Sequence, residues 1–274
     1  ARRLDDKTLL PPIRNDRHQR MNPPRPETLV RFAGCLLLLI WPSHGCKQGP
    51  TAADYVQDAR EALSEKRLDE AETYVDLAEK EGSSSRNIRM LRSRIQRKLA
   101  ERALRKERPD EAFHHFVDAA DIDPRRIPSA RTYVRAIEIG HRAGMPPDEL
   151  APVAQRAVDQ NPSLAEARRL AGQMWDEAGE RERALRHYLW LWQADHSRTR
   201  IGRRLATTYE SLGRKSDAMI ILRQVLEVEP DNAQAGLNLA RLYDETAQPE
   251  RARRLYERLV QTYPDKPGIL LRYA

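Results

Sequence analysis

His114, His115 and Asp118 are the side chains whose types and spacing could hold a metal ion. His114 and Asp118 are four positions apart, which places both on one face of a helix. Imidazole and carboxylate are common zinc ligands. No second pair offers the other half of a site, and both histidines fall at outward positions of a predicted helix. We therefore interpret them as solvated surface rather than as a metal centre.

Paired acidic residues could supply a general acid and a general base. The pairs Asp176–Glu177 and Asp244–Glu245 recur at the ends of predicted helices, which favours a solvated face. The chain also has no phosphate-binding loop, no nucleophilic serine motif and no zinc-peptidase motif. The sequence predicts no catalytic residue, no metal and no cofactor, and therefore no enzyme.

An apolar run of ten residues, Phe32–Trp41, follows two arginines near Met21. Ten apolar residues are too few to span a bilayer comfortably, so we expect a cleaved signal peptide at 21–45. Residues 1–20 are then an upstream or non-native segment. The alternative is that the apolar run is a buried helix.

Cys46 comes directly after Gly45, at the end of this segment. The arrangement resembles the lipobox of bacterial lipoproteins, which implies lipidation of Cys46. Ser43 and Gly45 also suit ordinary signal peptidase, which would leave Cys46 as a plain N-terminal residue. The only other cysteine, Cys35, lies inside the predicted signal, so the mature chain has no internal disulfide.

The second half of the chain repeats with a period of 34 residues, in the windows 165–198, 199–232 and 233–266. A fixed period of this size indicates an array of stacked supersecondary units. The windows share an aromatic residue at position 11 (Trp175, Tyr209, Tyr243), a turn residue at position 15 (Gly179, Gly213, Ala247) and alanine at position 20 (Ala184, Ala218, Ala252).

Each window predicts two antiparallel helices. Leu205 and Tyr209 lie on one helical face, and Gly213 permits the left-handed turn that ends the helix. Ala206 and Ala218 are small, which indicates that the two helices cross there. A larger side chain at that contact would overpack it.

These positions resemble tetratricopeptide (TPR) repeats. The resemblance implies an all-α fold, a right-handed superhelical solenoid of stacked antiparallel helix pairs. Two positions depart from the family pattern. Position 27, usually alanine, holds Leu191, Val225 and Leu259, and position 4, usually large, holds Arg168, Gly202 and Gly236.

The solenoid is predicted to span 52–274, after a linker at 46–51. Degenerate repeats at 52–85, 93–126 and 131–164 precede the three clear ones, which makes about six repeats. A further repeat starts after residue 266 and is cut short. Solenoids normally end on a polar cap, so we expect the natural protein to continue past Ala274.

The resemblance also implies a groove, lined by the first helix of each repeat, that binds an extended peptide or a partner helix. Arginine is suited to bidentate capture of carboxylates, so the expected partner is acidic or presents a C-terminal carboxylate. The alternative is that these arginines pair with acids on their own surface. The predicted groove residues are Arg169, Gln173, Arg203, Arg204, Thr207, Asn238 and Arg241.

Three tryptophans fall in one repeat. Trp175 and Trp192 are at core positions, whereas Trp190 lies on the opposite side of its helix. An exposed aromatic residue can mark a contact surface, so Trp190 is the candidate of the three.

Charge argues against nucleic acid as a partner. The net charge is +7, but residues 1–45 hold eight basic and four acidic side chains, and charges in the remainder are interspersed. Charged residues make up 32% of the chain, with only 3 Phe and 12 Gly, which is typical of a helical array. A basic stripe of the kind that binds nucleic acid is not predicted.

The sequence therefore predicts a protein–protein interaction scaffold of the bacterial cell envelope, exported and either periplasmic or anchored to the membrane by a lipid on Cys46. It resembles lipoproteins of pilus biogenesis and of exopolysaccharide–exosortase systems. The alternative is the non-catalytic TPR accessory region of a longer enzyme whose catalytic domain lies beyond Ala274.

Overall fold

A computed structural model describes residues 49–82, 85–123 and 125–264, and in these ranges it contains twelve α-helices and no strand. The upstream segment, the predicted signal peptide, Cys46 and the truncated last repeat lie outside the described residues.

The helices form six successive pairs. Each helix contacts the next along the chain, and first helices also contact each other, as α1 does α3 and α5 does α7. This arrangement confirms the expected all-α solenoid. The pairs are α1 (Ala52–Ser64) and α2 (Leu68–Lys80), α3 (Arg86–Arg105) and α4 (Pro109–Ile122), α5 (Arg126–Arg142) and α6 (Pro147–Gln160), α7 (Ala165–Glu177) and α8 (Arg181–Ala194), α9 (Thr199–Ser211) and α10 (Lys215–Val228), and α11 (Ala233–Glu245) and α12 (Pro249–Thr262).

The last three pairs begin at the first position of the three 34-residue windows. The turn inside each pair places position 15 in the left-handed region, with φ of 82° at Gly179, 74° at Gly213 and 57° at Ala247. Glycine adopts this conformation without steric cost, whereas Ala247 adopts it at the cost of a close contact of its Cβ atom with the backbone.

The earlier pairs start sooner than the sequence predicted. α3 begins at Arg86 rather than near Ser93, and α5 begins at Arg126 rather than near 131. The Ser85 hydroxyl caps α3 by accepting the Ile88 N–H at 3.3 Å. Ile88 and Ile95 continue one buried face along the added turns, so packing extends the helix beyond the length of a TPR helix.

The two departures from the TPR pattern compensate each other. A Cβ atom on Gly202 would lie 2.6 Å from Val225 Cγ2, and one on Gly236 would lie 2.9 Å from Leu259 Cδ2. In the last two windows, position 4 lacks a side chain where position 27 carries a large one. The large and small residues of this contact have thus exchanged positions relative to the TPR pattern.

Buried apolar side chains form two clusters in the described residues. A small one joins α1, α2 and α3 as far as Leu99. A large one starts at Ala100 and continues to Leu259 in α12. The later pairs therefore share one continuous core.

Candidate functional site

Three of the predicted groove residues meet in one cavity of about 160 Å³ between α7, α8 and α9, here called the α7–α9 cavity. First helices supply most of the lining, as expected for a groove. The lining residues are Arg169, Gln173, Tyr188, Arg200, Ile201 and Arg204.

Tyr188 reaches this cavity because Gly172 makes room for its ring. A Cβ atom on residue 172 would lie 2.7 Å from Tyr188 Cε1. The Tyr188 side chain is buried, and its hydroxyl accepts a hydrogen bond from Arg204 Nη1 at 3.3 Å. Burial raises the pKa of Tyr188 to about 12, so the phenol stays neutral at physiological pH. The ring fixes one wall and holds Arg204 beside it.

The cavity carries positive charge that nothing in the described part of the chain neutralises fully. Arg169 and Arg200 make no ion pair with any described residue. Asp176 lies near Arg204; burial raises the pKa of Asp176, while the Arg204 and Arg181 charges oppose that rise. Guanidinium forks beside an amide and a phenol are donors matched to a carboxylate.

Gln173 links the cavity to the preceding pair. Its Nε2 donates to Glu177 Oε1 at 2.9 Å and lies 3.2 Å from His141 Nε2 on α5. His141 Nδ1 lies 3.6 Å from Glu177 Oε2. The amide is therefore already held in a polar bridge, which fixes its position at the cavity edge.

The Arg241 guanidinium forms ion pairs with acids of the same chain. Its Nη2 lies 2.5 Å from Glu210 Oε1 and its Nη1 lies 2.6 Å from Glu245 Oε1. The alternative interpretation, in which groove arginines pair with acids on their own surface, therefore applies to this residue.

The remaining groove residues also lie outside the cavity. Arg203 is half-buried, and its Nε has no hydrogen-bond partner among the described residues. Thr207 Oγ1 donates to the Arg203 carbonyl at 3.1 Å, and Asn238 Oδ1 accepts from Gln234 Nε2 at 3.0 Å. The two adjacent arginines, Arg203 and Arg204, thus have different surroundings.

Sequence reasoning missed Tyr188, Arg200 and Ile201. The signal that could have found Tyr188 is Gly172, which stands where the next two windows have Ala206 and Ala240. A missing methyl group at a repeated contact indicates that a ring approaches from the paired helix.

The histidine pair on α4 differs from the prediction. His114 and Asp118 are exposed, but His115 is half-buried and its Nδ1 lies 2.7 Å from Gln96 Oε1 on α3. The expectation that both histidines point outward was wrong for His115, because α3 packs along that side. In the ranges that the structure describes, no group of three or more His, Cys, Asp or Glu side chains could hold a metal ion.

The tryptophans divide nearly as expected. Trp175 and Trp192 are buried, which confirms their core assignment. Trp190 is half-buried, and the Arg168 guanidinium lies 4.3 Å from its ring centroid. Trp190 is thus less open than the sequence predicted, because Arg168 of α7 covers one ring face.

None of the described helices is both long and apolar enough to cross a membrane.

Stacked helix pairs with an aromatic residue at position 11 and a tight turn at position 15 define a TPR-type solenoid. The tetratricopeptide repeat family model matches residues 213–271. The resemblance drawn from the three windows is therefore confirmed. A search of curated protein sequences gave no match.

Solved TPR structures share the fold at low sequence identity. A crystal structure of MamA protein is 15% identical with a TM-score of 0.54, over 64% of this chain and 94% of that one. MamA 41-end from Desulfovibrio magneticus RS-1 is 12% identical with a TM-score of 0.52, over 64% and 97%. YrrB, described as a TPR protein with an unusual peptide-binding site, is 16% identical with a TM-score of 0.54, over 65% and 90%.

Proposed function

We propose that this chain is a protein-interaction scaffold of the bacterial cell envelope that binds an extended acidic peptide in the α7–α9 cavity. The observation that carries the proposal is the convergence of Arg169, Arg200 and Arg204 beside Tyr188. Arginine is the side chain best matched to bidentate binding of carboxylates.

The size and position of the cavity favour a peptide as the ligand. A volume of about 160 Å³ is smaller than the usual pocket for a drug-sized molecule, and it accommodates a side chain or a chain terminus. Successive first helices continue on either side, so a longer segment can extend beyond the cavity. YrrB, a TPR protein with a peptide-binding site, supports this class of ligand.

Export and anchoring form the second part of the proposal. The apolar run Phe32–Trp41 ends shortly before Gly45 and Cys46, in the order expected of a signal peptide followed by a lipidated cysteine. A lipid on Cys46 would hold the solenoid at a membrane surface. One acyl chain gives marginal binding, so a stable anchor needs more than one chain.

Peptide binding can be tested by fluorescence anisotropy with a labelled peptide of alternating aspartate and serine that ends in a free carboxylate. The double variant Arg169→Glu, Arg204→Glu is expected to weaken binding by about tenfold or more, because charge reversal adds repulsion to the lost hydrogen bonds. Arg94→Glu with Arg105→Glu makes the same two charge reversals at exposed residues of α3, and this variant should stay within about twofold of the wild type.

Equal binding by the wild type and the double variant at the same salt concentration would exclude this cavity as the site. Circular dichroism of each variant separates loss of binding from loss of fold. A peptide with an amidated C-terminus distinguishes a requirement for the terminal carboxylate from a requirement for aspartate.

Anchoring is tested by fractionation of cells that express the chain from Met21. The wild type is expected in the membrane fraction and Cys46→Ser in the soluble fraction. A wild-type chain that stays cytosolic with residues 21–45 intact would rule out export.

A further inference from the structure

A second cavity, of about 440 Å³, lies between α10, α11 and α12 and shares no lining residue with the α7–α9 cavity. It is here called the α10–α12 cavity. One acidic side chain, Glu227, lines it. Four arginines do so as well, namely Arg223, Arg251, Arg254 and Arg258.

Acidic side chains in the described part of the chain do not form ion pairs with these arginines. Arg223, Arg254 and Arg258 are exposed and make no ion pair with a described residue. Arg251 donates from Nη1 to Gln248 Oε1 at 2.7 Å and lies 5.8 Å from the Tyr243 ring centroid, but it makes no ion pair with a described residue. Four cations beside one carboxylate give the cavity a strong preference for anions.

The floor of the cavity is apolar. Leu239 and Leu255 are buried there beside the Tyr243 ring, and Leu226 is half-buried at the edge. A ligand that carries only charge would leave these side chains uncovered. A ligand with one large apolar group flanked by acidic groups would cover the floor and meet the arginines.

The repeat offers an internal comparison. The equivalent positions 68 residues earlier line a cavity of about 530 Å³ between α6, α7 and α8. There Arg183 lies over the Trp175 ring at 4.5 Å, and Arg168 donates to the Pro162 carbonyl at 2.7 Å. Two of the three arginines of that cavity therefore already have partners within the protein, and the third, Arg186, stands at the position equivalent to Arg254.

The repeat in between has no such arginines. Asp217 and Ile220 stand where the next repeat has Arg251 and Arg254. Ile220 is 43% exposed. A basic cavity is thus not a general product of this fold, because the repeat in between keeps the helix geometry without these two arginines.

We infer that the α10–α12 cavity is a second binding site of this protein, and that it takes an acidic peptide segment with a leucine-sized apolar side chain at its centre. The apolar side chain lies on Leu239, Leu255 and Tyr243. The flanking carboxylates pair with Arg254 and Arg258 on one side and with Arg223 on the other.

A peptide suits this site better than a nucleic acid. Outside residues 1–45 acids are interspersed with bases, so no basic stripe continues from the cavity along which a phosphate backbone could lie. The apolar floor matches an aliphatic side chain, and four separate guanidinium groups match separate carboxylates.

The test uses the whole chain and a fluorescein-labelled peptide, Asp-Glu-Leu-Glu-Asp, in anisotropy titrations. Arg254→Glu with Arg258→Glu is expected to weaken binding by about tenfold or more. Arg253→Glu makes one such charge reversal, half that of the double variant, on α12 at a residue outside the cavity lining, and it should change affinity by less than about threefold. Thermal unfolding of each variant shows that the fold is retained.

The apolar requirement is tested with Asp-Glu-Gly-Glu-Asp, which should bind about tenfold more weakly than the leucine peptide. Equal binding of both peptides would overturn the proposal in favour of a general anion site. Tighter binding of a single-stranded DNA oligonucleotide or of inorganic phosphate would overturn it as well.

The two proposed sites fail separately. If Arg169→Glu with Arg204→Glu abolishes binding of the leucine peptide while the α12 double variant binds normally, the second site is wrong and the α7–α9 cavity is supported. Loss of binding in the α12 variant alone supports the second site, whatever the outcome for the aspartate–serine peptide.

Discussion

Between α2 and α3, charged side chains make much of the contact. Arg92 lies 2.5 Å from Asp76 and 2.8 Å from Glu79, and Arg102 lies 2.8 Å from Asp69. Residues 52–81 hold ten acids and four bases, whereas α3 holds eight bases and one acid. The first pair is thus attached to the next largely by opposite charge over a small core.

Among helices α9 to α12, close packing of apolar side chains makes much of the contact. Within these pairs, a Cβ atom on Gly202 would lie 2.6 Å from Val225 Cγ2, and one on Gly236 would lie 2.9 Å from Leu259 Cδ2. Between pairs, the Trp192 ring of α8 would also lie 2.6 Å from a Cβ atom on Gly202. Steric fit therefore sets how the two helices of each later pair meet and how α9 packs against α8.

The difference indicates which part of the solenoid can hold a precise site. Exposed ion pairs contribute roughly 0–1 kcal/mol each, and salt weakens them. Close-packed apolar contacts are not screened by salt. Both candidate cavities lie among the later pairs. The helices that carry their arginines are packed within each pair by contacts that do not depend on ionic strength.

The largest expected effect comes from a charge placed in the later core. Ala218 is fully buried at the crossing of α9 and α10, so Ala218→Glu buries a carboxylate without a partner and should cost several kcal/mol of unfolding free energy. Ser216→Glu adds the same charge at an exposed residue of α10 and should cost less than about 0.5 kcal/mol. Urea denaturation measures both. Equal, small costs would mean that the 34-residue register is misassigned.

The compensation of positions 4 and 27 can be tested by a double-mutant cycle. Gly236→Ala should cost about 1–3 kcal/mol, because its Cβ would overlap Leu259. In the Leu259→Ala background the same change should cost nothing or stabilise, since the added methyl group fills part of the space that Leu259 left. Additive costs would show that the two positions are independent.

The contact between α2 and α3 should respond to salt. Arg92→Ala removes two ion pairs and is expected to lower the local opening free energy of α1 and α2 by about 1 kcal/mol at low salt, and by less at 1 M salt. Amide hydrogen exchange of α1 and α2 reports this opening. Exchange in α9–α12 should change less with salt, because the Arg241–Glu210 and Lys215–Glu245 ion pairs there lie over a larger apolar core, and an equal change would remove the distinction between the regions.

The smallest effect concerns the turn of the last pair. Ala247 has φ of 57°, so Ala247→Gly should stabilise the protein by about 0.5–1 kcal/mol. Gly213→Ala, at the same position of the preceding pair, should destabilise it by a similar amount. Thermal unfolding of the two variants checks the opposite signs.

Much of this fold could be predicted from the sequence, because the windows repeat a local pattern of turn, aromatic and alanine positions. The starts of α3 and α5 could not, since they depend on the burial of added turns against neighbouring pairs. The TPR pattern treated Gly202 and Gly236 as exceptions, although the structure pairs each with a larger residue 23 positions later.

The candidate site was predictable only in part. Position along a first helix indicated Arg169, Gln173 and Arg204, but it gave Arg203 the same role as its neighbour. Which side chains share a cavity depends on the angle at which one pair is rotated against the next, whereas the Gly172–Tyr188 contact, within the α7–α8 pair, only places the ring. A one-dimensional pattern does not contain this angle.

The most direct test of the account is hydrogen exchange of the chain with and without the aspartate–serine peptide. The Arg254→Glu, Arg258→Glu variant is used so that the second cavity does not contribute. The account predicts slower exchange in α7 and in the first turns of α9, where Arg169, Arg200 and Arg204 lie. Bound peptide with unchanged exchange in both helices would contradict it.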